Sequence, residues 1–143
     1  MNQKKFMVAF ERTATEVITP DIFFDIHFKT KNHFVSARSL MREIAEKRDV
    51  EMVEVLDELL KIVKAKNYDY SVDDDAFANF NLAKEIDIEP IQAVQIRMLD
   101  KISRINTLKA REGEAAVDES LEDTQLDLFA YMVIMQIMID EGL

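Results

Sequence analysis

Apolar residues recur at intervals of three and four positions along much of this chain. The row is longest between positions 90 and 111, where one face would carry Ile91, Val94, Met98, Ile102, Ile105 and Leu108. This interval is that of an α-helix, whose successive turns bring such residues to one side. Segment 118–139 begins with acidic residues, continues with apolar ones and contains neither Gly nor Pro. The pattern therefore predicts two long helices joined by a short connection at 112–117.

The two predicted helices place a basic row opposite an acidic one. Helices joined by a short connection pack as antiparallel neighbours. If the connection turns near position 114 or 115, segment 100–104 lies level with about residues 125–129. The basic row contains Arg97, Lys101 and Arg104, and the acidic residues of the second helix are Glu119, Glu122, Asp123 and Asp127. We expect the two rows to meet at the base of this hairpin.

The remaining segments predict further helices and one ambiguous element. We expect helices at 6–18, 37–48, 50–67 and 75–85, with Ser36 and Asp49 as N-caps of the second and third. Residues 68–75 have the composition of a loop. Segment 21–31 is interpreted as a short helix, but its aromatic residues leave a strand open. The chain is thus expected to be a single all-α domain, 1–143, with a four-helix-bundle-like core at 51–143 and an N-terminal helical elaboration at 1–50.

Composition excludes several classes of protein. The 143 residues include 28 acidic and 18 basic side chains, and the formal charge of -10 disfavours nucleic acid or an anionic membrane as a partner. The absence of cysteine excludes disulfides, thiolate zinc sites and a cysteine nucleophile. With two Gly and two Pro, the chain has no glycine-rich phosphate-binding loop. The apolar run in 128–139 is too short to cross a bilayer, and residues 1–10 lack the apolar core of a signal peptide.

The apolar residues of segment 118–139 surround the predicted helix instead of occupying one face. Those that leave least room for a polar face are Met132, Val133, Met135, Ile137 and Met138. A helix that is apolar all round needs burial against neighbouring helices or a second chain. From this pattern we predict a homodimer.

Carboxylates at helical spacing are candidate ligands of a divalent cation. Mg²⁺ and Mn²⁺ prefer hard oxygen ligands. Two groups have the required spacing of three and four: Glu119, Glu122 and Asp123 in one helix, and Glu54, Asp57 and Glu58 in another. However, acidic side chains also stabilise the first turn of a helix or form a solvated face, and the basic row can simply pair with Asp100 and Asp127. From the residues alone, both interpretations stay open.

Three blocks of the sequence resemble a known family. They are the loop Lys66-Asn67-Tyr68-Asp69-Tyr70 followed by 75–80, then Arg97, Met98, Asp100, Lys101 and Arg104, and finally Glu119, Ser120, Asp123, Thr124, Asp127 and Leu128. In this order they resemble the nucleotide-modification-associated domain of phages and bacteria, which is related to the MazG-like all-α nucleoside triphosphate pyrophosphohydrolases. The resemblance covers about positions 54–140.

The resemblance implies a function and a set of site residues. The implied reaction is hydrolysis of a (deoxy)nucleoside triphosphate to monophosphate and pyrophosphate, dependent on Mg²⁺ or Mn²⁺, in the cytoplasm of a bacterial or phage-infected cell. The implied catalytic residues are Glu119 and Asp123, which would hold metal, and Lys101 and Arg104, which would contact phosphate. Further metal candidates are Asp127, Asp100 and Glu58. The residues that would shape the nucleotide pocket are Lys66, Asn67, Tyr70 and Asn79.

Two other interpretations stay open. Ser71 stands where the family usually has glycine, and Asp100 lies among cations where the better-studied enzymes have a glutamate pair. The missing glutamate pair favours a non-catalytic helical module that binds a nucleotide or a protein partner, as does the aromatic N-terminal region that the resemblance does not cover. The aromatic residues that would meet a protein partner, or form a lid on the bundle, are Phe23, Phe24, Phe28 and Phe34. In the third interpretation, the acidic and basic rows only fasten the hairpin.

Overall fold

The computed structural model describes residues 1–18, 25–30, 33–71, 74–111 and 119–143. At 17–18, 25–30 and 33–36 it describes the backbone only. Its helices are α1 (Gln3–Ile18), α2 (Ala37–Arg48), α3 (Met52–Tyr70), α4 (Ala78–Asn81), α5 (Pro90–Ala110) and α6 (Leu121–Asp140). A 3-10 helix, Leu82–Ile86, follows α4, and the strands β1 (Asp25–Thr30) and β2 (His33–Ser36) form an antiparallel pair. The fold is all-α with a helical bundle-like core, as the periodicity predicts.

The α5–α6 hairpin has the register that the sequence predicts. Lys101 Nζ lies 2.9 Å from Asp127 Oδ2, and Arg104 Nε lies 3.1 Å from Thr124 Oγ1. Both pairs centre on position 114, which lies within the predicted connection. The connection itself, 112–117, lies outside the described residues. The expectation that segment 100–104 lies level with 125–129 is therefore confirmed.

Helix α6 lies at the centre of the bundle and packs against α1, α2, α3 and α5. Its fully or almost fully buried apolar residues are Leu126, Leu128, Phe129, Met132, Val133, Ile137 and Met138. The neighbouring helices of the same chain thus cover the apolar surface from which the homodimer was predicted. Dimerisation stays a prediction, but these apolar residues no longer require a second chain to bury them.

Helix α1 holds the segment that follows α3. The Phe6 ring meets the Phe77 ring edge-on, with centroids 5.4 Å apart at 86°. Gln3 donates its side-chain amide to Ser71 Oγ, and Ala76 N donates to Met1 O at 3.2 Å. The N-terminal elaboration therefore fixes residues 71 and 74–77 against the helical core.

Ion pairs join α2 to the α5–α6 hairpin. Lys109 Nζ lies 2.8 Å from Glu43 Oε1, and Lys47 Nζ lies 3.7 Å from Glu122 Oε1. Burial by itself would raise the pKa of the Glu43 carboxyl, but the Lys109 and Lys47 ammonium groups outweigh it and hold that pKa below its ordinary value. Glu122 is thus one partner of an inter-helix ion pair.

The segment expected to be a second short helix, 21–31, forms a strand in its described part, 25–30. This strand, β1, pairs with β2, so the alternative that the aromatic content left open is the one that forms. The aromatic side chains named as a partner surface or lid, those of Phe23, Phe24, Phe28 and Phe34, lie outside the described part of the chain.

One predicted N-cap is wrong. Asp49 adopts a left-handed conformation (φ 52°) and ends α2, with Val50 N donating to Ala45 O at 3.0 Å. This is the usual geometry of a helix C-terminus, and Asp is one of the residues that tolerate it. Glu51 precedes α3 instead. Helix α6 begins at Leu121 with Ser120 as its N-cap, and position 118, where the segment was predicted to begin, lies outside the described residues.

Helix boundaries also differ around the predicted loop. Helix α3 continues through the predicted loop residues 68–70, and Ser71 N donates to Asn67 O at 3.1 Å. The helix predicted at 75–85 is a short α4 followed by the 3-10 turn, and Asp87 closes it with φ 58°. None of the described helices has the length and hydropathy of a membrane span.

Candidate functional site

A cavity of about 460 Å³ opens beside α3, α4, α5 and α6. Its aliphatic wall includes Ile62, Val63, Leu82, Ala83, Ile86, Ile88, Ala93, Ile96, Ala130 and Ile134. Its aromatic and polar residues are Phe6, Phe80, Tyr70, Tyr131, Asn67, Asn79, Lys66, Arg97 and Asp127. A mostly apolar cavity of this size with a few polar groups is typical of a small-molecule site. We call it the α3–α6 pocket.

All four residues that the loop motif implies for nucleotide binding line this pocket. Lys66, Asn67 and Tyr70 lie at the C-terminal end of α3, and Asn79 belongs to α4. A spacing of four brings Lys66 and Tyr70 to one helix face. Tyr70 is 60% exposed and lies at the mouth. The structure thus brings together four side chains from two elements, while their role stays a prediction.

Tyr131 is a pocket residue that the sequence interpretation missed. Its ring meets the Phe80 ring edge-on, with centroids 6.3 Å apart at 81°. Burial, and next to it the Asp127 carboxylate, raise the pKa of the Tyr131 hydroxyl above its ordinary value. The signal that could have found it is its position four residues after Asp127 on α6, which places both on one face.

Ion pairs connect the pocket to the base of the α5–α6 hairpin. Asp127 pairs with Lys66 through Oδ1 and with Lys101 through Oδ2, the latter at 2.9 Å. Lys101 Nζ also lies 3.3 Å from Glu119 Oε1. The predicted meeting of the basic and acidic rows therefore occurs here, as a chain of ion pairs.

Burial and paired charges set the protonation of this cluster. The Asp127 side chain is 12% exposed. Burial alone would raise the pKa of its carboxyl, but hydrogen bonds from Lys66 and Lys101 prevail and hold the pKa below its ordinary value. For Lys101, burial alone would lower the pKa, but Asp127 and Glu119 prevail and raise it. Both groups are consequently charged at neutral pH.

Arg104 fastens the segment that precedes α6. Its Nε donates to Thr124 Oγ1 at 3.1 Å, and its Nη2 donates to the Glu119 carbonyl oxygen at 3.0 Å. Nη2 also lies 3.5 Å from Glu119 Oε2. The guanidinium thus joins the two helices of the hairpin, which is the role that the basic and acidic rows have in the third interpretation.

The candidate metal ligands do not converge. Asp123 closes a capping box with Ser120, accepting from Ser120 N at 3.0 Å and from its hydroxyl at 2.8 Å. Glu58 pairs with Arg48 on another side of the bundle, and Asp100 lies 3.9 Å from Arg97 in solvent. Across the described ranges, no group of three or more His, Cys, Asp or Glu side chains has the geometry to hold a metal ion.

This arrangement does not fit Mg²⁺ or Mn²⁺ as it stands. Five of the candidate carboxylates already meet a cation or an N-cap group, namely Glu58, Asp100, Glu119, Asp123 and Asp127. A magnesium ion takes oxygen ligands in near-octahedral order, which these pairings do not provide. The metal stays a prediction of the family resemblance.

Comparison of the chain with protein-family models, with curated proteins and with solved structures yields no match. The resemblance to the nucleotide-modification-associated domain therefore rests on the three sequence blocks alone. What the structure adds is the α3–α6 pocket and the ion pairs beside it.

Proposed function

We propose that this protein binds a nucleotide in the α3–α6 pocket. The observation that carries the proposal is that Lys66, Asn67, Tyr70 and Asn79 all line that one pocket. The motif implies them from two stretches of sequence, and the fold gives them a common cavity. Of the alternatives left open by the sequence, a binding module fits this geometry best.

The lining offers a complementary surface to each part of a nucleotide. The base would contact the aliphatic wall and the rings of Tyr70 and Tyr131, because flat heterocycles stack on aromatic side chains. The amides of Asn67 and Asn79 each supply donors and an acceptor for base or sugar edges. Lys66 would donate a hydrogen bond to a phosphate oxygen, because its ammonium group has three donors.

A second candidate function is the metal-dependent hydrolysis of a (deoxy)nucleoside triphosphate to monophosphate and pyrophosphate. One observation favours it: Asp127 lines the pocket and shares Lys101 with Glu119, so two of the candidate metal ligands lie near one ligand site. It stands second because both carboxylates are held by lysine or arginine. We place either function in the cytoplasm of a bacterial or phage-infected cell, where nucleotides are plentiful.

Tyrosine fluorescence offers a direct test of binding. The chain has no Trp and three Tyr, and Tyr70 and Tyr131 both line the pocket, so ligand entry should change the emission. Nucleoside mono- and triphosphates of each base would be titrated, with calorimetry as the second readout. Tyr70→Ala should weaken binding by about fivefold or more, since a stacked base contributes about 1–3 kcal/mol.

The matched control is Tyr68→Ala, at an 80% exposed side chain outside the pocket lining. It should leave the affinity unchanged. Failure of every nucleotide to bind, or equal effects of the two tyrosine variants, would overturn the binding proposal.

For hydrolysis, pyrophosphate release with Mg²⁺ should be abolished by Glu119→Gln and retained in Asp140→Asn. Absence of release from the native chain would remove this second candidate.

A further inference from the structure

The α3–α6 pocket has a charge balance that restricts its ligand. Of the described residues that line it, Lys66 and Arg97 are positive and Asp127 is negative. Lys66 is paired with Asp127, while Arg97 lies only loosely against Asp100, at 3.9 Å. The described lining therefore carries a single excess positive charge, in a chain with a formal charge of -10.

The negative member of this balance is permanent at neutral pH. One oxygen of Asp127 pairs with the Lys66 ammonium of α3 and the other with the Lys101 ammonium of α5. Lys101 cannot be counted towards the ligand, because it does not line the described pocket and is shared by Asp127 and Glu119. A ligand that reaches Lys66 consequently also meets a carboxylate.

This charge balance restricts how many phosphate groups a bound nucleotide can carry. A phosphate monoester carries about 1.5 to 2 negative charges at pH 7. Lys66 can donate to one phosphate oxygen while keeping Asp127, and Arg97 can add a second contact. Further phosphates would add negative charge beside Asp127 without a further cation from the described lining, and like charges in a partly buried site repel strongly.

We infer that the α3–α6 pocket of the metal-free protein selects a nucleoside monophosphate over the corresponding triphosphate, and that Asp127 sets this preference. The inference rests on the proposed nucleotide binding and narrows it to one ligand class. Asp127 is a specificity-determining residue that acts through its charge and through its hold on Lys66.

The test compares affinities for the mono- and triphosphate of the tightest-binding nucleoside, in EDTA at constant ionic strength. The native chain should bind the monophosphate about tenfold more tightly or better, a difference of about 1.4 kcal/mol. Asp127→Asn should reduce this ratio severalfold, because the substitution removes the repelling charge at constant size. Asp127→Glu should restore the ratio.

Asp140→Asn is the matched control, since it removes one charge from the same helix outside the pocket lining, and its ratio should equal that of the native chain. Asn79→Lys adds a cation at an exposed lining residue, and it should shift the ratio towards the triphosphate even if Asp127→Asn fails to fold. Tighter triphosphate binding by the native chain would overturn the inference and leave nucleotide binding intact. A ratio unmoved by both pocket variants would overturn the role of the charge balance, and no binding of any nucleotide would overturn the proposed function itself.

Discussion

Lys101 Nζ lies 2.9 Å from Asp127 Oδ2, and this ion pair joins α5 to a residue of α6 that lines the α3–α6 pocket. The same ammonium group lies 3.3 Å from Glu119 Oε1, just before α6 begins. One lysine therefore ties together two carboxylates that the sequence nominates as metal ligands. Because hydrogen-bonded, partly buried ion pairs depend on both partners, this cluster makes the stability of the hairpin dependent on pH.

Asp127→Asn should destabilise the protein at neutral pH and much less in acid. The pKa of the Asp127 carboxyl is lower in the folded chain than its ordinary value of 3.8. A depressed carboxyl pKa stabilises the fold above that ordinary value, and the stabilisation is lost as the pH falls through the folded value. We expect a loss of about 2 kcal/mol at pH 7.

Urea unfolding at pH 7 and pH 3 would measure the difference between the native chain and Asp127→Asn. The difference should shrink at the lower pH. Asp140→Asn, an exposed acid at the end of the same helix, should show no comparable change. A difference that is equal at both pH values would contradict the assigned cause.

Ser120→Ala should lower stability without affecting any metal response. Ser120 Oγ accepts a hydrogen bond from Asp123 N at 3.1 Å, and the Asp123 carboxylate accepts one from Ser120 N at 3.0 Å. Loss of an N-cap of this kind costs about 1 kcal/mol. Asp123→Asn should have a similar effect, since it weakens the other half of the capping box.

Thermal unfolding with and without Mg²⁺ would distinguish the capping role of Asp123 from metal binding. The control is Ser103→Ala, an exposed serine on α5, which should leave the melting temperature unchanged. A stabilisation by Mg²⁺ that disappears in Asp123→Asn would show that Asp123 binds metal after all.

Phe129→Ala should be among the most destabilising single substitutions. The Phe129 side chain is 0% exposed at the centre of α6. Truncation of a buried phenylalanine costs about 3–5 kcal/mol, because apolar contacts are lost and a cavity remains. Ile139→Ala, at a 50% exposed residue of the same helix, should cost far less. The two variants would be compared by their denaturant unfolding midpoints. Similar midpoints would contradict the assignment of Phe129 to the core.

Gln3→Ala should loosen the segment beside the pocket mouth. Gln3 donates its side-chain amide to Ser71 Oγ and its backbone N–H to Asp74 Oδ1 at 3.3 Å. Removal of the side-chain contact should speed amide hydrogen exchange at residues 74–77, because local opening is easier with fewer contacts. Lys4→Ala, at the exposed neighbouring residue, is the control and should leave that exchange unchanged. Equal exchange rates in both variants would show that the Gln3 side chain does not stabilise residues 74–77.

Local periodicity was enough to predict much of the bundle. Five of the six apolar residues predicted along α5 are buried, and the hairpin register follows from a short connection between two long helices. These features depend on spacing within a helix and on chain connectivity, both of which can be read along the sequence. Cap positions were less predictable, since Asp49 and Ser120 each suit more than one place at a helix end.

The candidate site depended on tertiary structure to a greater degree. The sequence nominated Lys66, Asn67, Tyr70 and Asn79 through a motif, but only the arrangement of α3, α4, α5 and α6 around one cavity brings them together and adds Tyr131. The acidic and basic rows were visible in the sequence, yet their spacing allowed either a metal cage or ion pairs. Which partner a carboxylate meets depends on the relative position of whole helices, and no interval along one helix encodes it. The sequence by itself therefore determined the long helices, their apolar faces and the hairpin register, whereas the tertiary structure alone decided that Asp127 pairs with two lysines.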